Sequence, residues 1–140
     1  MECTIRAMTI VDYPEVRALW ERSEGVSLSE SDTPEAVAAF LARNPGLSAV
    51  AASAAGAIAG AVLCGHDGRR GYLHHLAVSA GLRRRGISRQ LIEFCFAGLA
   101  AEKIPKCNVF VLRESASSIA FWAHNGWIAP TWQLMQKRIA

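Results

Sequence analysis

One run constrains this chain more than any other: Leu82-Arg83-Arg84-Arg85-Gly86-Ile87-Ser88-Arg89-Gln90-Leu91-Ile92, a basic turn that passes through a single glycine into a strongly apolar helix. Just before it lies the strand-like run Tyr72-Leu73-His74-His75-Leu76-Ala77-Val78. A strand, a tight basic turn and a helix start together make an anion cradle. First-turn N–H groups have no intrahelical acceptor, and the helix dipole is positive at that end. Gly86 carries no Cβ to keep an anion from the backbone, and the flanking arginines supply charged, fork-shaped donors. The cradle suits a pyrophosphate. It is not a Walker loop, because no Gly-Lys pair occurs in the chain, and it lacks the companion glycines of a Rossmann turn.

Around this run the chain reads as one mixed α/β domain over residues 1–140. A strand is expected at 3–9. Asp12, with Glu15 three residues on, reads as the capping box of a helix to about Ser23 that buries Val16, Leu19 and Trp20. A polar loop from Glu24 to Thr33 follows, and Pro34 opens a second helix to about Arg43. Strands are expected at 47–53, 57–65 and 71–79. The cradle helix should run from about Arg85 to Ala101, with Leu91, Ile92, Cys95, Phe96 and Leu99 on its buried side. A strand at 106–112, a short helix at 116–124 and a last strand at about 131–138 complete the order. The long apolar run Leu47 to Leu63 is broken by Ser53, Gly56 and Gly60, so it reads as a hairpin rather than a membrane span. Hydrophobic residues make up 51% and charged residues 19%, which suits a packed globular protein. Cys3, Cys64, Cys95 and Cys107 show no metal spacing; with no leader peptide evident they read as reduced thiols of a cytoplasmic protein.

The segment Arg83-Arg84-Arg85-Gly86-Ile87-Ser88 resembles the R/Q-x-x-G-x-G/A loop of the GNAT N-acetyltransferases. A second segment, Ser118-Ile119-Ala120-Phe121-Trp122-Ala123-His124-Asn125-Gly126-Trp127, is similar to that superfamily's A-x-x-F/L-Y-x-x-x-G-F helix end. The order of elements agrees, and the resemblance covers essentially the whole chain. Within the superfamily it is nearest to small bacterial acetyltransferases of the YpeA type, through Trp20-Glu21-Arg22 and the turn Asp67-Gly68-Arg69-Arg70-Gly71. The resemblance implies a single-domain α/β fold, a mixed central sheet with helices on both faces, and a splayed strand pair forming an acyl-CoA cleft. It implies acetyl-CoA as acetyl donor, held by Arg83, Arg84, Arg85, Gly86, Ile87, Ser88 and Arg89. The backbone of Leu76, Ala77 and Val78 would pair with the pantetheine arm, with Ser115 and Trp122 beside the cofactor. Ser88 and Arg84 stand where glycine or alanine is frequent in the family. Members often form homodimers.

Acetyl transfer to an amine needs a neutral amine, a donor to the developing oxyanion and a proton for the departing thiolate. A lysine-like amine with a pKa near 10.4 is only about 0.04% neutral at pH 7, so a base matters most for such an acceptor. The positions that supply catalytic groups in relatives carry other residues: Trp122 replaces a tyrosine, Ser115 an asparagine and Phe110 a glutamate. His74 and His75 are the catalytic candidates in their place, since imidazole titrates near neutrality. Simple alternation puts Tyr72, His74, Leu76 and Val78 on one face and Leu73, His75 and Ala77 on the other. Alternatively one histidine packs under the sheet while the other lines a pocket. Tyr72 is either an acid or a strand-end core residue. His124 complements its helix C-terminus or touches cofactor. Glu21, Glu24 and Glu114 are solvated or bind a cation; with Glu30 and Asp32, the loop acids mildly favour a cationic acceptor. No metal is called for.

The leading function is therefore an acetyl-CoA-dependent N-acetyltransferase acting on a primary amine of a small molecule or protein, by direct attack in a ternary complex. A non-catalytic acyl-CoA-binding module is the alternative, motivated by Trp122, Ser115 and Phe110. Nucleic acid and membrane are not expected partners: the stripe Arg83–Arg89 lacks interleaved aromatics, and the net charge is only +3.

Overall fold

A polar side chain sets the entry to the first helix, though not as the capping pattern suggests. Strand β1 (Cys3–Ala7) leads into a 3-10 turn at Ile10–Asp12 and helix α1 (Tyr13–Glu21). Asp12 precedes α1 but makes no side-chain cap to it. Its Oδ2 accepts from Thr9 N at 2.9 Å, and both oxygens accept from Arg6, at 2.8 and 2.9 Å. Glu15 is likewise not a capping partner: its Oε2 accepts from the N–H of Ile58, 43 residues away. The expected Asp12/Glu15 box is thus corrected, because a bidentate guanidinium is a stronger claim on a carboxylate than one amide. The second helix does follow its signal. α2 (Pro34–Arg43) has Thr33 as N-cap, accepting from Ala36 N at 3.1 Å, with Pro34 at the first helical position.

The computed structural model describes residues 2–140, in two compact units, Met1–Phe110 and Val111–Ala140. In the first unit β1, β2 (Ala49–Ser53), β3 (Ile58–His66), β4 (Gly71–Val78) and β5 (Cys107–Val109) form a sheet in chain order. The first four strands are antiparallel neighbours and β5 lies parallel to β4, so the sheet is mixed. α1 and α2 cover one face, where Val16, Leu19, Trp20 and Val37 pack on Val50, Ala61, Leu63 and Ala77. α3 (Ile87–Ala101) covers the other, with Ile87 and Leu91 over Gly60 and Leu99 over Gly71. Its buried stripe is Ile87, Leu91, Ile92, Cys95 and Leu99; Phe96, expected inside, is 42% exposed because it falls to the edge of that stripe.

β5 is shorter than the strand expected at 106–112. It pairs with β4 only at Gly71↔Cys107, Tyr72↔Asn108 and Leu73↔Val109. Beyond Leu73, β4 runs on to Val78 with no strand on that side among the described residues. The strand pair opens at the C-terminal end of β4, leaving backbone groups there for something else.

In the second unit α4 (Ala116–His124) stops at Asn125-Gly126, and Gly126 has the left-handed φ of 88° that suits such a stop. The strand expected at 131–138 does not form. No described strand pairs with it, and Trp132, Leu134, Met135 and Ile139 are exposed. An alternating pattern makes a strand only where a ladder exists to join.

Arg6 hydrogen bonds, foremost, hold the Asp12 carboxyl below its ordinary range, against the opposing effect of burial. Stability from this carboxylate is full above the pKa of an unfolded aspartate, about 3.9, and is lost as pH falls through the lower folded value. Asp12→Asn is expected to cost about 1–2 kcal/mol at pH 7, a figure discounted for the exposed Arg6 partner. It would be read as a lower urea midpoint with unchanged slope, and the gap to wild type should close below about pH 4.

Candidate active site

The decisive local feature is one extra residue in β4. Ala61 pairs with Ala77 and Leu63 pairs with His74, so two steps along β3 match three along β4. This is a β-bulge, and His75 takes up the strain with a φ of 56°. The bulge overturns the simple alternation. Tyr72, His74 and Ala77 face α1 and α2, as their partners Gly65, Leu63 and Ala61 do, whereas Val78 shares the α3 face with Gly60. His75 also turns to the α1 side, where its ring meets Trp20 edge-on at 5.0 Å. Both histidines therefore share one face beside the open edge of β4.

Their surroundings differ. His74 lies nearly parallel to the rings of Tyr72 (6.4 Å) and Phe110 (5.6 Å), with Phe40 edge-on at 5.9 Å. Burial foremost, and then His75, pushes its pKa down, with Asp32 pulling the other way. It is a neutral imidazole at neutral pH. His75 instead pairs through Nε2 with Asp32 Oδ1 at 2.9 Å, and its carbonyl accepts from Trp20 Nε1 at 3.1 Å. Asp32, one of the loop acids expected to favour a cationic acceptor, is 4% exposed and bonded to His75. Sequence reasoning missed that role; the pattern Ser29-x-x-Asp32, a capping-box spacing, was the available signal. Of the other loop acids, Glu21 is an exposed partner of Arg17 at 3.2 Å.

The basic turn and the helix start form where the sequence predicts them. A 3-10 turn at Ala80–Leu82 leads to Arg83, whose Nε donates to the Val78 carbonyl at 3.4 Å, so that carbonyl is already engaged. Arg84 has a φ of 65°, the left-handed region, which a glycine would occupy without strain. Gly86, at φ 78°, is the N-cap of α3, and no side chain caps the first turn. The N–H groups of that turn stay available to an anion. Nothing lies closer than 3.9 Å to a Cβ placed on Gly86, so the position needs glycine for its backbone rather than for space. Arg83, Arg84, Arg85 and Arg89 are exposed around it, Ser88 is half-buried, and Ile87 is buried in the core.

In the second unit Ser115 is buried ahead of α4, its Oγ 2.8 Å from Ser118 Oγ, and Trp122 is buried edge-on against Phe121 and Trp127. His124 is exposed in the last turn of α4. The cysteines are free thiols; hydrogen bonding with Cys95, then burial, pushes the Cys64 thiol up, and burial raises Cys107 to about 12. Neither is a poised nucleophile. Among the described residues no cluster of three or more His, Cys, Asp or Glu is placed to hold a metal, and no helix is long and apolar enough to cross a membrane.

Residues 13–127 match the model of the acetyltransferase (GNAT) family. The chain belongs to that family. It is 34% identical over 119 residues to an acetyltransferase of Sodalis glossinidius (strain morsitans), covering 84% of this chain and 82% of that protein. An acetyltransferase of Yersinia enterocolitica shows the same identity and coverage. Among solved structures, the PaiA N-acetyltransferase of Thermoplasma acidophilum in complex with coenzyme A superposes with a TM-score of 0.81 at 17% identity, over 95% of this chain and 94% of that one. The fold is the α/β GNAT fold, with its mixed five-stranded sheet. Acetyl transfer is the reaction class that membership assigns.

Two substitutions separate strain from charge in the GNAT cradle. Arg84→Gly is expected to raise stability by about 0.5–1 kcal/mol, seen as a higher urea midpoint, because it removes a side chain from a left-handed position. Gly86→Asp should abolish acetyl-CoA binding in calorimetry while the far-ultraviolet circular dichroism stays native, since it sets a negative charge at the helix start.

Proposed function

We propose that the chain is an acetyl-CoA-dependent N-acetyltransferase that passes the acetyl group to a primary amine by direct attack in a ternary complex, without a metal. One observation carries the reading. The bulge sets two histidines beside the unpaired edge of β4, in the same unit as the uncapped, arginine-flanked start of α3. In this reading the pyrophosphate sits on residues 83–89 and the pantetheine arm runs along Leu76, Ala77 and Val78. A backbone N–H of that edge receives the oxyanion, and the histidine pair takes the amine proton.

The family match crosses from the first compact unit into the second, which supports one acetyltransferase domain over 1–140. The Trp20-Glu21-Arg22 and Asp67–Gly71 segments favour the YpeA type. Four free thiols suit a reducing cytoplasm, where the chain would work alone or as a homodimer on a small-molecule or protein amine.

A second reading, a non-catalytic acyl-CoA-binding module, is favoured by Trp122. Its indole can donate a hydrogen bond but has no proton to give a thiolate. Calorimetric titration with acetyl-CoA and with CoA is expected to show micromolar binding at one site per chain. An amine panel, followed by mass because native thiols react with thiol dyes, should then yield acetylated product. Binding without turnover would favour the module; no binding would overturn both readings.

A further inference from the structure

We propose that Asp32 is the positioning residue of a His75–Asp32 pair, in which the carboxylate fixes the imidazole tautomer so that Nδ1 of His75 takes the proton of the attacking amine. The inference rests on the N-acetyltransferase reading and goes one residue beyond it. A carboxylate as buried as that of Asp32, 6% exposed, is costly unless every oxygen is engaged. Here both are. Oδ2 accepts from Ser29 N at 2.9 Å and Oδ1 meets His75 Nε2 at 2.9 Å. The carbonyl of the same residue accepts from the Tyr13 hydroxyl and from Arg17 Nη1 at 3.1 Å. The Asp32 side chain cannot turn away from the histidine without breaking its bond from Ser29 N, and the backbone that carries it is tied to α1.

His75 is held as firmly from the other side. Its backbone sits at the bulge, its carbonyl is fixed by Trp20 Nε1 and its ring by the Trp20 edge. A carboxylate can only accept, so Nε2 carries the hydrogen and Nδ1 keeps the lone pair. His74 has no such orienting group; its contacts are with the rings of Tyr72, Phe110 and Phe40, and it forms an uncharged wall. The charged and titratable groups packed about the pair are His74 on β4 and Tyr13, Arg17 and Glu21 on α1.

The step balances simply. The amine nitrogen bonds to the thioester carbonyl carbon, and Nδ1 takes the proton released from that nitrogen. The C–S bond then breaks, and the CoA thiolate is protonated by the imidazolium or by water, giving amide and free thiol.

Asp32→Asn provides a sharp test. Ser29 N–H claims the amide oxygen, so the amide NH2 faces His75 and forces the hydrogen from Nε2 onto Nδ1. Nitrogen-15 NMR of histidine-labelled protein should show the Nε2–H tautomer of His75 in the wild type and the Nδ1–H tautomer in D32N. Turnover should fall about 100-fold or more, with acetyl-CoA affinity within twofold of wild type. H75Q should lose as much, and the double variant no more than either single one. Wild-type turnover in D32N beside a crippled H75Q would overturn the positioning role and leave the acetyltransferase reading standing. An Nδ1–H tautomer in the wild type would overturn it too, whatever D32N does and whether or not that variant folds. Loss of all amine turnover in the wild type, with the Nε2–H tautomer present, would instead sink the enzyme reading beneath it.

Discussion

Between Leu63↔His74 and Ala61↔Ala77, β4 carries one residue more than the strand it pairs with, and much of the first unit follows from that surplus. An extra residue breaks the two-residue side-chain period, so adjacent histidines come to share a face instead of straddling the sheet. It also lies just past Leu73, the last β4 residue that β5 reaches. Pairing with β5 ends where the bend begins, and the open edge of β4 is the result. The left-handed His75 is tolerated because Trp20, buried at the sheet surface and 1% exposed, donates to its carbonyl. Removing that donor would leave a buried acceptor and a strained residue together, which is why α1 and the bulge stand or fall as one.

A second strained residue has a similar logic. Arg84, left-handed without being glycine, precedes the uncapped start of α3, and the helix behind it is anchored by Ile87, Leu91, Cys95 and Leu99. Strain of this kind persists only where packing over-determines the conformation. In both cases the packing comes from a helix covering a sheet face, α1 for His75 and α3 for Arg84. The two faces therefore hold different tasks. The α3 side presents backbone N–H groups and arginines, and the α1/α2 side presents the histidines with their carboxylate and ring partners.

Local chemistry was legible in the sequence, and chemistry that depends on a distant partner was not. Thr33-Pro34 names its helix start, the Val16/Leu19/Trp20 stripe names the buried face of α1, and the Arg-Arg-Gly turn names the start of α3, because each feature is contained within a few residues. The bulge was invisible because it is a relation between β3 and β4, and nothing in Tyr72–Val78 itself breaks the alternation. Asp12 misled for the same reason: its capping spacing was real, but Arg6, across the β1 turn, outbid the helix. The segment at 131–138 alternates plausibly yet finds no ladder among the described strands. Asp32 was half legible. Its spacing from Ser29 marked a turn, while its burial and its histidine lay 43 residues away.

That division bears on how the proposed activity could vary without loss of the fold. The proposed cofactor side depends on backbone geometry at Gly86 and on the β4 edge, which side-chain changes elsewhere leave alone. The proposed acceptor side depends on the segment from α1 to α2, which supplies Trp20, Asp32 and Phe40 from a loop and two helix faces. Substitutions at the exposed positions of that segment, Glu24, Ser27, Glu30 and Ser31, would alter what approaches His75 while leaving its anchors in place. The anchors Trp20 and Asp32 are buried, and Val26 and Leu28 between them pack against the core, while Glu24, Ser27, Ser29, Glu30 and Ser31 lie at the surface. In the proposed reading acceptor choice is thus separable from the His75–Asp32 pair, because the carboxylate is held by Ser29 N–H, a backbone group rather than a loop side chain.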